Sequence, residues 1–151
     1  MIGRVAQADL HEDLRVGVRA LCREYPDSYW RELDARRAYP DAFVKALTGA
    51  GYLSALIPEE YGGSGLGITE ASIIMEEINR SGANAGACHA QMYTMGTLLR
   101  HGSDAQKRKY LPKIASGELR LQAFGVSEPT TGSDTTQLRT TAVRNGKIPT
   151  D

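Results

Sequence analysis

Residues 121–134 hold most of the chain's capacity for chemistry. Leu121, Ala123, Phe124 and Val126 form a short apolar run of β type. Pro129 fixes its own φ and pushes Glu128 toward extended backbone, and Gly132 supplies the permissive residue that a tight turn needs. Thr130, Thr131, Ser133 and Asp134 bond readily to neighbouring backbone groups and leave amide N–H groups facing outward. Hydroxyls and free amides on a rigid turn suit a phosphate or the edge of a heteroaromatic ring. The same residues also suit an ordinary turn between strands, and their chemistry alone leaves both open.

The remaining candidates are weaker. Glu59, Glu60, Glu76, Glu77 and Glu128 read as solvated or capping carboxylates rather than as a catalytic base. Cys22 and Cys88 are far apart with no C-x-x-C spacing, so reduced thiols in a cytoplasmic protein are expected. His11, His89 and His101 form no ligand pattern with them, and no metal site is expected. The run Gly62, Gly63, Gly65, Gly67 is not G-x-G-x-x-G and has Pro58 in front of it, which argues against a dinucleotide loop. With 18 basic and 18 acidic residues, the chain has no electrostatic pull toward nucleic acid or an anionic membrane. No apolar run reaches the roughly 20 residues of a membrane span, and the first residues show no apolar signal core.

The positioning elements follow from periodicity. Leu10, Leu14, Val18, Leu21 and Cys22 predict a helix over 9–24, ended by Pro26 and Asp27. Residues 34–39 read as a polar linker, with Trp30 anchoring the corner before it. Pro40 opens a second helix through Phe43, Val44 and Leu47, stopped at Gly49 or Gly51. Residues 51–57 read as a short extended or turn segment. Thr69 caps a helix to about Arg80, broken by 81–84; a small-residue helix follows over 85–100. Ser103 or Asp104 caps a helix through Leu111 in which Pro112 should force a kink or an early end, and Lys107, Arg108 and Lys109 form its solvated face. Strands are expected at 119–126 and 138–144, with Asn145 and Gly146 as a hairpin signal. Only five residues follow, including Pro149, so the sequence is expected to be cut short at the entrance to a β-domain.

Three segments, in order, resemble the acyl-CoA dehydrogenase family. Val126-Ser127-Glu128-Pro129-Thr130-Thr131-Gly132-Ser133-Asp134 resembles its flavin-binding loop, with Ser127 where threonine is more familiar. Residues 56–65 resemble its Pro-Glu-x-Tyr-Gly-Gly-x-Gly turn, and residues 102–112 its Gly-(Ser/Thr)-x-x-Gln-Lys-x-x-Tyr-Leu-Pro helix. The last five residues depart from the family, which continues there with an aromatic-rich strand.

The resemblance implies a mainly α chain. Residues 1–118 would be the N-terminal all-helical domain, and 119–151 the incomplete start of a β-barrel-like middle domain. It implies FAD as cofactor, an acyl-CoA substrate oxidised across Cα–Cβ, an electron-transfer flavoprotein as acceptor, and a homo-oligomer, usually a tetramer. Phe124, Val126 and Ser127 would line the isoalloxazine edge, and Gly132 and Ser133 would face the flavin pyrophosphate. Ser133 would also reach the acyl-CoA. Tyr93, with Met92 and Met95, sits on the helix that borders the acyl pocket, where core packing is the competing role. The family's glutamate base lies in a C-terminal domain, so no catalytic residue is expected here and the chain alone should be inactive. Two other functions stay open: a flavin-dependent monooxygenase of the same fold, and a non-catalytic helical interaction module.

Overall fold

The computed structural model of the chain describes residues 11–123, 125–141, 143 and 146. Six α-helices run through them: α1 (Glu12–Arg23), α2 (Asp27–Arg36), α3 (Asp41–Gly49), α4 (Ile68–Arg80), α5 (Gly86–His101) and α6 (Asp104–Ser116). The core forms where the apolar stripes of α1, α3, α4, α5 and α6 meet the turn at 53–57. Val18, Phe43, Leu47, Ile57, Ile74, Ile78, Cys88 and Leu111 are all fully buried there. Cys22 and Cys88 are free and buried, and burial pushes the Cys88 thiol up to about 12.

Helix α2 falls across the stretch in which a linker was expected to begin, and the linker shortens to the residues after Arg36. No residue of α2 is fully buried, so it lacks the apolar stripe that periodicity detects. Aromatic edges hold it instead. Trp30 meets Phe43 at 4.9 Å and Tyr29 meets Tyr25 at 5.0 Å between ring centroids, and the Trp30 indole N–H donates to the Tyr25 carbonyl at 3.0 Å.

Two helix boundaries also differ from expectation. Gly67, not Thr69, caps α4: its backbone is extended (φ −91°), and its N–H donates to the Glu70 carboxylate at 2.9 Å. Helix α6 begins at a capping box formed by Ser103 and Gln106, then continues through Pro112 to Ser116 without the expected early end. Proline inside a helix costs about 3 kcal/mol. Full burial of Leu111 and Ile114 on either side returns about 1.5–3 kcal/mol each, and the exposed proline ring meets solvent rather than the core.

The turn between α3 and α4 depends on one close approach. A Cβ on Gly63 would lie 2.1 Å from the Ile57 carbonyl oxygen, so only glycine lets this loop fold back on itself. Beyond α6 the chain turns at Gly117 (φ +81°). The β-strands expected after residue 118 do not form among the described residues, where only an isolated bridge joins Glu128 and Thr131. Among the described residues no strand lies alongside 119–123 or 125–127 to accept a ladder, and β structure requires one.

Candidate functional site

Side chains, rather than a sheet, fix the path from α6 to the polar loop. Arg120 donates to the Thr48 hydroxyl at 3.3 Å. Gln122 donates to the Ala87 carbonyl at 3.1 Å and to the Tyr39 hydroxyl at 3.1 Å. Gln122 thus pins the segment against the first turn of α5, a contact that gives no periodic signal in the sequence.

The polar loop then closes on itself. Glu128 and Thr131 exchange backbone hydrogen bonds of 2.9 and 3.0 Å, with Pro129 and Thr130 at the corner. The Asp134 carboxylate accepts from the Thr136 N–H at 3.2 Å and the Thr136 hydroxyl at 2.5 Å, opening a 3-10 turn over Thr135–Gln137. Ser127, Gly132 and Ser133 are exposed and Val126 is half-buried. Among the described residues, the hydroxyls of Ser127 and Ser133 and the amides of Gly132 and Ser133 have no internal partner. The loop therefore presents outward-facing donors, the arrangement that a phosphate or a ring carbonyl requires. Phe124 lies outside the described residues.

Tyr93 is 37% exposed on α5, its ring edge-on to His89 at 5.2 Å. It borders a trough of about 450 Å³ between α4 and α5, walled by Leu56, Ile68, Met75 and Met92. A second hollow of about 430 Å³ shares Leu56, Ile68, Met92 and Tyr93 and runs on past Gly96 and Thr97. Met95 is buried in the core and does not line either hollow. The α4 wall escaped the sequence reading because Ile68 and Met75 share a face with ordinary core residues.

Three of the carboxylates, Glu76, Glu77 and Glu128, are committed to other partners. Glu77 is 1% exposed, held by Arg19 at 2.7 Å and Arg15 at 2.6 Å. These two guanidiniums, Arg19 first, keep its carboxyl down at about 2 despite burial. Glu76 pairs with Arg15 at 2.8 Å. Glu128 sits below the ordinary carboxylate range because the Thr140 hydroxyl, then the Arg139 and Thr140 amides, donate to it. A general base works best with a pKa near the operating pH, which neither Glu77 nor Glu128 offers.

The family model for the acyl-CoA dehydrogenase N-terminal domain matches residues 8–118. The chain belongs to the acyl-CoA dehydrogenase family. A probable acyl-CoA dehydrogenase of Mycobacterium leprae is 35% identical over 138 residues, covering 90% of this chain and 35% of that protein. Among solved structures, a glutaryl-coenzyme A dehydrogenase in complex with glutaryl-CoA matches with a TM-score of 0.73 at 30% identity, over 91% of this chain and 35% of the other. An acyl-CoA dehydrogenase from Bacillus anthracis, complexed with FAD, matches with a TM-score of 0.67 at 27% identity, over 85% of this chain and 22% of the other. The chain thus spans about a third of the length of the curated relatives it matches, and its fold is the helical N-terminal part of the acyl-CoA dehydrogenase architecture.

Proposed function

We propose that this chain is the N-terminal part of an FAD-dependent acyl-CoA dehydrogenase. Its helical domain would extend to residue 118, and the residues after it would begin the flavin-facing middle domain. One observation carries the reading: the exposed donors of Ser127, Gly132 and Ser133 stand on a closed loop whose approach is pinned to α5, the helix that walls the apolar trough.

The loop fits the cofactor because an FAD pyrophosphate and isoalloxazine offer acceptors, and the loop offers donors without internal partners. The Ser127 hydroxyl and the Val126 and Ser127 backbone would hold the ring edge. The amides of Gly132 and Ser133 would hold the pyrophosphate, and the Ser133 hydroxyl would also reach the acyl-CoA. Tyr93 with Met75 and Met92 would border the acyl chain and keep water from it. Bound FAD supplies a hydride acceptor at the β-carbon, from which electrons pass to an electron-transfer flavoprotein. The base for the α-proton would come from protein outside these 151 residues, within a homo-oligomer of the longer form.

Incubation of the chain with FAD, followed by fluorescence polarisation, tests this reading. Saturable binding is expected, weakened by Ser133→Ala, together with no acyl-CoA-dependent reduction of an artificial electron acceptor. Absence of saturable binding would remove the loop from the site. Turnover by the chain alone would overturn its assignment as a part lacking the base.

A further inference from the structure

The carboxylate of Glu128 is engaged by residues further along the chain. One oxygen accepts from the Arg139 N–H at 2.9 Å; the other accepts from the Thr140 N–H at 2.7 Å and from the Thr140 hydroxyl. These donors lie eleven and twelve residues further along, so a single side chain ties the start of the loop to the segment beyond it. Among the described residues, the loop's other bonds stay short of residue 139: the Glu128–Thr131 backbone exchange, the bonds that Asp134 accepts from Thr136 and Gln137, and a 3.5 Å bond from the Thr131 hydroxyl to the Gln137 carbonyl. None of these reaches residues 139–140, which only the Glu128 carboxylate joins to the loop among the described residues.

We infer that Glu128 is the positioning residue of the 127–134 loop: its ionised carboxylate closes the loop through the Arg139 and Thr140 amides and aims Ser127, Gly132 and Ser133 outward. The inference rests on the flavin reading of that loop for its functional consequence, but not for its geometry. Three donors converge on one group, and all three are satisfied only by an acceptor with two oxygens. A carboxylate meets that need. Glutamine offers one oxygen, and its NH₂ would face a backbone N–H donor to donor. Aspartate is one methylene too short to reach. The half-buried, depressed-pKa state of Glu128 then reflects a closing function and not a catalytic one.

The test has two arms on the 151-residue chain. In the first, ¹⁵N-resolved NMR follows the amide protons of Arg139 and Thr140 through an acid titration. Both should shift together with a midpoint below the ordinary carboxylate range, and Glu128→Gln should abolish the shift. The same variant should raise the ps–ns mobility of residues 127–134 while the α1–α6 amides and the melting temperature stay unchanged. Amides at 139 and 140 that ignore both pH and Glu128→Gln overturn the inference. In the second arm, FAD is titrated by fluorescence polarisation. Glu128→Gln should weaken binding about tenfold and Thr140→Val, which removes one of three donors, about threefold. Equal affinity in all three proteins would also overturn a positioning role. If the unsubstituted chain shows no saturable FAD binding, the flavin reading fails by itself and the first arm still decides the closure.

Discussion

The helical body and the segment after it are held by different kinds of force. Between α1 and α6, apolar side chains from five helices share one buried core, and the one deeply buried charge, Glu77, meets two arginines. Among the described residues from 119 onward most side chains are half-buried or exposed, and Arg120, Gln122, Glu128 and Asp134 each make a few directed bonds. Burial is non-directional and cooperative, so the body resists local opening. A chain held by separate hydrogen bonds, each contributing about 1 kcal/mol, opens piecemeal.

Substitutions graded by size test the contrast. Phe43→Ala should have the largest effect: it removes a fully buried ring that Tyr25 and Trp30 contact edge-on, at a cost of about 3–5 kcal/mol. Thermal melting should show the six helices losing structure together. A change under about 1 kcal/mol would mean the aromatic corner is not part of the core.

Glu77→Gln comes next, at about 3 kcal/mol, because it leaves Arg15 and Arg19 without a buried counter-charge. Its pH dependence is diagnostic. The folded carboxyl titrates at about 2, below its ordinary 4.5, so its stabilisation is complete above 4.5 and is lost as pH falls through about 2. Between those values the parent chain should lose stability while the Gln variant stays level. Parallel melting curves for the two would show that the α1–α4 tie is not electrostatic.

Gln122→Ala should cost about 1 kcal/mol and act locally. Hydrogen exchange should quicken at 119–123 and leave the core of α5 unaffected; faster exchange throughout α5 would erase the boundary between the two regions. Leu138→Ser, at a residue 42% exposed, should stay within about 0.5 kcal/mol of the parent. A larger loss would mean the tail packs on the body more firmly than its exposure shows.

Much of the body was legible because helices announce themselves locally. Leu14, Val18 and Cys22 repeat at helical spacing, Ser103 and Gln106 form a capping box three residues apart, and Gly82 marks the break after α4. Helix α2 was hidden because its stabilising contacts come from the rings of Tyr25 and Phe43, outside the helix. The early end expected at Pro112 does not occur because a local penalty is outweighed by burial that no local window contains. The strand expectation at 119–126 rested on apolar β-type residues, but strand formation is decided by a partner, not by composition. In the candidate site, the exposed donors of the loop could be anticipated from Ser127, Gly132 and Ser133. The Glu128 closure could not, since no local rule pairs a carboxylate with amides eleven residues away.

By itself, the order of amino acids settled features whose cause lies within about four residues: the approximate spans of α1, α3 and α5, the Ser103 cap of α6, the break after α4 and the composition of the polar loop. Tertiary structure alone decided which surfaces meet. It brought Glu77 to Arg15 and Arg19, Gln122 to Ala87, and Glu128 to Thr140. Hydrogen bonds and ion pairs fall off within a few ångströms, so their partners are fixed only once the folded chain has brought distant residues together.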